Sequence, residues 1–286
     1  MQRLLTDGAN KASLSQLCRV FEVSRSGVHA AHRRAQRAPT LSAQAVQLQA
    51  IFAASGATYG TRRLSAALHH QGLGAGRHRV RSLMRRHGLR AAWRRKFVHT
   101  TDSRHDLPVA EHLLQRQFQP NEPNRAWAGD ITYVRTASGW LYLAVVIELY
   151  SRKVIGWACA PHMQASLVCQ ALHMAITTRQ PKPGLLVHTD RGSQYASHAH
   201  TALLAQHQLQ PSMSRKGNCW DNAVAERFFL SLKMERLWRR PYANHAEAQR
   251  DIADYIVNFY NPTRLHSSLG YRSPMQFEQQ PSTHHH

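Results

Sequence analysis

The sequence predicts an α/β fold, with a mixed five-stranded sheet and helices on both sides, preceded by an all-helical segment. From Trp127 onward, three strand-like runs follow one another through short connections, which favours an antiparallel meander. Helix-like and strand-like runs then alternate as far as Tyr260, a pattern typical of a sheet covered by helices. Before residue 91, periodic apolar residues and Gly-containing turns indicate short helices only.

The charge is large and unevenly distributed. The 286 residues include 37 Lys and Arg against 16 Asp and Glu, a formal net charge of +21. Residues 1–110 carry 19 of the basic residues and 4 of the acidic ones, whereas residues 111–286 carry 18 and 12. A strongly basic N-terminal part, followed by a less basic C-terminal part, indicates a polyanion-binding module attached to a second domain.

Composition excludes several protein classes. The four cysteines are scattered and form no CxxC pair, so a disulfide framework or structural zinc site is not expected. No apolar run is long enough to span a membrane. We therefore expect a protein of the reducing cytoplasm with no membrane partner. The three histidines at 284–286 are left out of the fold prediction because they resemble a purification tag.

Two helical units are predicted at the front. Helices over 13–21 and 25–37, with Ser24 as the N-cap of the second, suit a helix-turn-helix whose reading helix begins with Ser24, Arg25, Ser26 and His29. A plain helical hairpin is the equal alternative.

Helices over 41–55, 60–70 and 77–87 follow, and together they predict a small three-helix core. One face of the third helix is heavily cationic, which suits contacts to phosphates more often than to base edges. Its basic residues are Arg77, Arg79, Arg81, Arg85 and Arg86.

Three acids are the candidate catalytic and metal-binding residues. Asp130 lies within the strand-like run 127–134, Asp190 follows the apolar run 185–187, and Glu226 lies in a predicted helix over 223–237. A charge within a strand costs free energy unless it is paired, and a hard divalent cation is a natural partner for carboxylates. The sequence places 59 residues between the two aspartates and 35 between Asp190 and Glu226.

That spacing resembles the DDE triad of retroviral integrases and their transposase relatives. The surrounding words are WAGDITYV, HTDRGSQY, KGNCWDNAVAERFF and YNPTRLHSSLGYRSP. They are similar to those of downstream-frame (OrfB) transposases of bacterial insertion sequences, over roughly residues 13–280. The resemblance implies a ribonuclease H-like integrase core, with two Mg²⁺ or Mn²⁺ ions held by Asp130, Asp190 and Glu226.

The same resemblance implies an activity and partners. The enzyme would cut the element's ends by two-metal phosphoryl transfer and join the freed 3′-OH to target DNA. Its partners would be DNA, further copies of the chain on that DNA, and an upstream-frame (OrfA) helix-turn-helix protein, in the bacterial nucleoid. Two alternatives stay open: an inactive DNA-binding regulator, and a ribonuclease H-like nuclease without joining activity.

Further candidate DNA contacts surround Glu226. The stretch 214–222 is rich in Gly, Asn and charge and predicts a mobile loop. Asn222, four positions before Glu226, and Lys233, seven positions after it, lie on the face of the predicted helix that carries Glu226. Asn222 could instead orient the Glu226 carboxylate. The predicted contacts are Arg215, Lys216, Asn218, Asn222 and Lys233.

The remaining polar residues of these motifs are assigned structural roles. Trp220 is expected to anchor the loop, and Cys219 has no neighbouring base that would make it a nucleophile. Glu148 is expected to support the site rather than to bind metal, and Asp221 to cap a helix. For Arg264 and His266, packing is at least as good an interpretation as DNA binding.

The expected domain boundaries follow from these shifts in pattern. We predict a helical unit at 1–38, a helix-turn-helix-like DNA-binding domain at 39–90, a basic linker at 91–125, and the catalytic core with its tail at 126–280. The linker is expected either to order against DNA or to serve as a plain tether.

Overall fold

The computed structural model describes residues 13–36, 42–92, 109–115, 118–215 and 222–280. The chain separates into two compact units, Met1–Gln49 and Ala50–His286. The first contains helices α1 (Leu14–Val20) and α2 (Arg25–Gln36). The Ser24 hydroxyl accepts a hydrogen bond from the Gly27 amide at 3.1 Å, so the N-cap predicted for the second helix is confirmed.

Helix α3 (Ala43–Ala54) crosses the boundary between the two units, and α4 (Thr61–His70) and α5 (Arg77–Arg86) follow it. The apolar side chains of α4 and α5 that the periodicity assigns to a core are all buried; they are Leu64, Leu68, Val80, Leu83 and Met84. The arginines of α5 are all exposed, as an amphipathic helix requires. The domain boundaries predicted from the sequence stay a prediction.

The larger unit is built on a five-stranded sheet with the order β3-β2-β1-β4-β5. Strand β1 is central; it pairs antiparallel with β2 and parallel with β4. β2 pairs antiparallel with β3, and β4 parallel with β5, so the sheet is mixed as predicted. The strands are β1 (Ala126–Thr136), β2 (Gly139–Glu148), β3 (Val154–Ala160), β4 (Leu186–Thr189) and β5 (Gln210–Met213).

Helices cover both faces of the sheet. Helices α6 (Ala165–Arg179) and α7 (His198–Gln206) pack with Trp127 and neighbouring apolar residues on one face. Gly156 allows the close approach of β3 to α6, because a Cβ atom there would lie 2.1 Å from the Ala171 carbonyl oxygen. Helices α8 (Ala223–Leu232) and α9 (His245–Asp254) pack on the other face.

Two helices end differently from the prediction. The helix expected over 223–237 is α-helical only to Leu232 and continues as a π-helical turn, Lys233–Leu237. Helix α9 likewise passes into a π-helical segment, Tyr255–Tyr260. Apolar periodicity does not distinguish these wider turns from an α-helix, because both place apolar residues on one side.

The last elements were not predicted from the sequence. They are a short 3₁₀ turn, Ser267–Leu269, and helix α10, Pro274–Glu278, which begins with a capping box at Ser273. Within the part of the chain that the structure describes, no helix is both long and apolar enough to cross a membrane.

Candidate active site

The register of the two central parallel strands brings Asp130 and Asp190 together. Ala128 of β1 is paired with His188 of β4. Continuing that register by two residues sets Asp130 beside Asp190, on the same side of the sheet, because side chains alternate with a period of two. Asp190 directly follows β4, where the chain leaves the sheet. Both carboxylates are half-buried and in contact with solvent.

Helix α8 brings Glu226 to the same place. Asn222, at the N-cap of this helix, is buried, and its side-chain amide donates to the Gly129 carbonyl oxygen at 3.3 Å. That bond ties the start of the helix to the residue before Asp130. Glu226 lies in the first helical turn, where a negative charge is favoured by the helix dipole. Glu226 therefore approaches β1 from the helices that cover the sheet, whereas the two aspartates belong to the sheet strands or their ends.

The pKa of Asp130 responds to both of the other acids. Burial raises its pKa well above the ordinary value of 3.8, and the negative charges of Asp190 and, more weakly, Glu226 raise it further. The Ile131 amide, which donates to Asp130 Oδ1 at 2.8 Å, and the cation of Lys233 lower it only in part. Like charges held together in this way favour the uptake of a proton or a metal cation.

The acids are not arranged as a finished coordination sphere. Within the described ranges, no three His, Cys, Asp or Glu side chains stand close enough together to bind one metal ion. One oxygen of each aspartate accepts a backbone hydrogen bond: Asp190 Oδ1 accepts from the Gly192 amide at 2.9 Å, and Asp130 Oδ1 from the Ile131 amide. These bonds fix the orientation of both carboxyl groups beside Glu226.

Lys233 lies at the edge of this acidic site. It is the first residue of the π-helical turn and is buried, with its ammonium nitrogen 5.0 Å from the centre of the Tyr133 ring. Burial lowers its pKa to about 8, although the charge of Asp130 opposes that shift. The amine therefore stays cationic at pH 7. The charges of Lys233 and Glu226 both act on Asp130, and the placement of the two residues on one helix face stays a prediction.

The other predicted DNA contacts divide into exposed, buried and undescribed residues. Arg215 and the five arginines of α5 are exposed, whereas Asn222 and Lys233 are buried in the absence of DNA. Lys216, Asn218, Cys219, Trp220 and Asp221 lie outside the described residues. The assignment of all these residues to DNA binding stays a prediction.

Glu148 has a structural role, as predicted. Its side chain is fully buried and accepts hydrogen bonds from the Asn124 amide at 2.8 Å, the Trp127 indole at 3.1 Å and the Tyr150 amide at 3.1 Å. The Arg179 guanidinium lies 3.6 Å from it. These partners satisfy the carboxylate at the far end of β2, where it ties β1 to the following loop.

Sequence reasoning missed two buried features. The first is Tyr195, a buried side chain whose hydroxyl oxygen would lie 3.6 Å from a Cβ atom on Gly129, the residue before Asp130. The second is Glu235, which lies in the π-helical turn and forms a buried ion pair with Arg264 at 2.7 Å. The packing interpretation of Arg264 is therefore confirmed. Neither feature has a local signal, because each depends on residues that are distant in sequence.

Comparison with known proteins agrees with this architecture. An integrase core domain family matches residues 120–219, a second integrase core domain family matches residues 207–274, and an HTH-like domain family matches residues 42–97. Among solved structures, the chain resembles the simian T-cell lymphotropic virus intasome in complex with PP2A regulatory subunit B56 gamma. That likeness has a TM-score of 0.47 and 17% identity, and covers 76% of this chain and 71% of the other.

Curated relatives match almost the whole chain. Transposase InsF for insertion sequence IS3A from Escherichia coli (strain K12) is 44% identical over 271 residues, covering 93% of this chain and 94% of the relative. The insertion element IS600 uncharacterized 31 kDa protein from Shigella sonnei is 41% identical over 265 residues, covering 92% and 97%. This chain therefore belongs to the insertion-sequence transposases that combine an HTH-like domain with an integrase core.

Proposed function

We propose that this chain cuts the ends of an insertion sequence and joins the freed 3′-OH to target DNA, using Asp130, Asp190 and Glu226 as its catalytic residues. The observation that supports this proposal is that Asp190, at the end of β4, and Glu226, in helix α8, both raise the pKa of Asp130 on β1. Such a group of like charges destabilises the folded protein. A destabilising arrangement of this kind is typical of a functional site.

The side chains of this site are chemically suited to bind a hard divalent cation. All three are carboxylates, the ligands that Mg²⁺ and Mn²⁺ prefer, and their mutual repulsion would be relieved by positive charge. One buried oxygen beside β1, Asn222 Oδ1, has no hydrogen-bond partner among the described residues. The site thus has polar capacity that the folded chain does not use. We infer two ions per site, held by Asp130, Asp190 and Glu226.

When bound, these ions would activate the attacking oxygen and stabilise the leaving oxygen of the phosphodiester. The chain's own residues provide orientation and charge. The Ile131 and Gly192 amides fix one oxygen of each aspartate, and Asn222 holds helix α8 against Gly129. The cation of Lys233 would hold a phosphate of the DNA end beside the acids, because it lies at the edge of the site.

The helical segment supplies affinity for DNA in this proposal. The family match to an HTH-like domain covers α3 to α5, and the exposed arginines of α5 suit contacts to the phosphate backbone. Assembly of several copies on DNA and an upstream-frame partner stay predictions from the resemblance.

The test is the substitution Asp190→Asn, assayed on oligonucleotides that carry an element end, with Mg²⁺. We expect both end cleavage and strand transfer to fall by more than about a thousandfold, since stabilisation by the metal ions is worth several kcal/mol. DNA binding, measured by fluorescence anisotropy, should change by less than about twofold, because the contacts to phosphates lie elsewhere.

The matched control is Glu122→Gln, which neutralises an exposed acid paired with Arg125 at 3.1 Å. This variant should retain both activities. Cleavage that survives in Asp190→Asn would contradict the assignment of the catalytic residues. Cleavage without joined products in the unsubstituted protein would instead indicate a nuclease, and neither activity would indicate a DNA-binding regulator.

A further inference from the structure

The hairpin that joins β1 to β2 exposes aromatic and basic side chains on one face of the sheet. Successive residues of a strand point to opposite faces. On one face of the hairpin, Val134 and Leu141 are buried with helices α8 and α9. The residues of the other face are exposed or half-buried; they are Tyr133, Arg135, Trp140 and Tyr142. Trp140 is 44% exposed, although tryptophan is highly buried on average, so burial in a core does not explain its presence.

Cations and aromatic rings alternate along this exposed face. Arg135 stands opposite Trp140 in the ladder between β1 and β2, and its guanidinium carbon lies 5.0 Å from the centre of the Trp140 ring. The Trp140 and Tyr133 rings meet edge to face, with centres 5.1 Å apart and planes at 90°. We call these three side chains the hairpin surface. Each contact has the distance of a favourable cation–aromatic or aromatic pair.

Lys233 connects the hairpin surface with the acids. Its ammonium nitrogen lies 5.0 Å from the centre of the Tyr133 ring, and its positive charge also acts on Asp130. Tyr133 and Asp130 point to opposite faces of β1, because an odd number of residues separates them. The ladder between β1 and β4 spans Ala126–Ala128 of β1, so β4 does not lie between the two faces further along. A DNA strand held at the acids would therefore pass Lys233 and reach the hairpin surface.

The hairpin surface is held in place by contacts at the turn. The Ala137 amide donates to the Tyr242 carbonyl oxygen at 2.9 Å, and the Ser138 hydroxyl donates to the Ala243 carbonyl oxygen at 3.2 Å. Both bonds attach the tip of the hairpin to the loop that precedes helix α9. A ligand that binds to an ordered surface loses less free energy to the ordering of the protein.

The chemistry of the hairpin surface suits DNA with unpaired bases. Arg135 is exposed and, within the described part of the chain, has no acid as an ion-pair partner, so its charge can be neutralised by a phosphate. Trp140 offers a flat ring on which any base can stack. Bases inside a duplex are already stacked on each other, so this contact requires an unpaired base. Aromatic rings beside basic groups are how proteins bind single strands.

We propose that the hairpin surface binds unpaired nucleotides at the element end, with a base stacked on Trp140 and a neighbouring phosphate bound by Arg135. This inference rests on the proposed function, because it assigns a path to the DNA strand that leaves the acids. It adds a substrate preference. The protein should bind an element end that has unpaired bases more tightly than a fully paired end.

The test uses one element-end oligonucleotide in blunt form and with a short single-stranded extension on either strand. Binding is measured by fluorescence anisotropy without divalent ions, so that no cleavage occurs. Trp140→Ala should raise the Kd of the tighter-binding extended form about tenfold, because a stacked base is lost. The Kd of the blunt form should change by less than about twofold, because its contacts are to phosphates elsewhere. Trp140→Phe keeps a ring and should retain most of the affinity.

Arg135→Gln tests the phosphate contact separately. This variant should bind the extended form more weakly and should lower the slope of log Kd against log salt by about 0.7, the value for one phosphate of a single strand. The matched control is Arg240→Gln. The Arg240 guanidinium also lies over a ring, 5.1 Å from the centre of Tyr242, but it pairs with Glu247 at 2.9 Å. Its charge is already compensated, so the slope should not change.

Three results would overturn this inference alone. The first is equal affinity of the unsubstituted chain for extended and blunt ends. The second is an unchanged Kd in Trp140→Ala. The third is a Kd that rises equally for both forms, which would show that Trp140 only stabilises the hairpin. Failure of the proposed function has a different sign, namely cleavage that survives in Asp190→Asn, and the metal-free binding assay does not depend on that result.

Discussion

Asp130, with Asp190 and Glu226, and the acid Glu235 lie in opposite surroundings, although Glu226 and Glu235 belong to one helical stretch. The negative charges of Asp190 and Glu226 act on Asp130, and the cation of Lys233 opposes them only in part. Glu235, less than three turns after Glu226, accepts two hydrogen bonds from the Arg264 guanidinium and one from the Tyr255 hydroxyl, all at 2.7 Å. The dominant neighbours of Asp130 are therefore negative, whereas Glu235 is paired with a cation.

The pKa values reflect that difference. Burial opposes ionisation in both groups, and at Asp130 the neighbouring acids add to its effect, so the pKa is raised. At Glu235, the charge and hydrogen bonds of Arg264 outweigh burial, so the pKa is lowered below 4.5. Burial alone therefore does not mark a catalytic acid. A better indicator of a catalytic acid is a buried acid whose nearest charges are negative, because those charges are compensated only when a cation binds.

The Glu235 group also has an architectural consequence. Arg63 of α4 lies 3.4 Å from Glu235, and the Tyr59 hydroxyl accepts from the Leu265 amide at 2.8 Å and donates to the Thr263 carbonyl oxygen at 3.2 Å. These contacts attach the HTH-like segment to the last part of the integrase core. The Glu235 ion pair thus holds two parts of the larger unit together, while Asp130, Asp190 and Glu226 serve the proposed chemistry.

The largest stability effect should come from breaking the paired group with Arg264→Met. This substitution leaves the Glu235 carboxylate buried without its main cation, which typically costs about 3–5 kcal/mol. The free energy of unfolding, measured by urea denaturation, should fall by that amount. The control is Arg240→Met, which removes an exposed pair with Glu247 and should cost about 1 kcal/mol or less. Equal losses in the two variants would show that the buried pair is not special.

A smaller change of opposite sign is expected at Asp130. Asp130→Asn removes one of the repelling charges and keeps an oxygen that can accept from the Ile131 amide. Without metal, the variant should be more stable, by on the order of 1 kcal/mol, or a few degrees in Tm. Added Mn²⁺ should raise the Tm of the unsubstituted chain but not that of the variant. A less stable metal-free variant would mean that Asp130 has a structural role.

The smallest effect concerns pH, and its sign should differ between the two groups. Because the folded pKa of Asp130 is raised, its contribution to stability is present below pH 3.8 and is lost as pH rises through the folded pKa. Because the folded pKa of Glu235 is lowered, its contribution is present above pH 4.5 and is lost as pH falls through the folded pKa.

Unfolding free energies of Asp130→Asn and Glu235→Gln, each compared with the unsubstituted chain without metal between pH 3 and pH 7, test this directly. The advantage of Asp130→Asn should grow with pH. The cost of Glu235→Gln should shrink toward acid pH. Parallel pH curves would refute the contrast between the groups.

Most of the fold could be predicted from local patterns. The strand-like run 127–134 lies within β1, Ala126–Thr136, and the apolar run 185–187 overlaps β4, Leu186–Thr189. The π-helical turns could not be predicted, because they depend on where helix α8 and helix α9 meet their neighbours. Lys233 and Glu235 lie in one such turn and reach different partners, Asp130 and Arg264.

The sequence by itself determined the strand and helix order, the basic helical front and the spacing of the three acids, because each is encoded in residues close together or in a family pattern. Only the tertiary structure decided the role of each buried charge. It gave Glu235 a cation from 29 residues away, and it surrounded Asp130 with the negative charges of Asp190 and Glu226. The reason is that the pKa and the hydrogen bonds of a buried group depend on what the fold brings within a few ångströms.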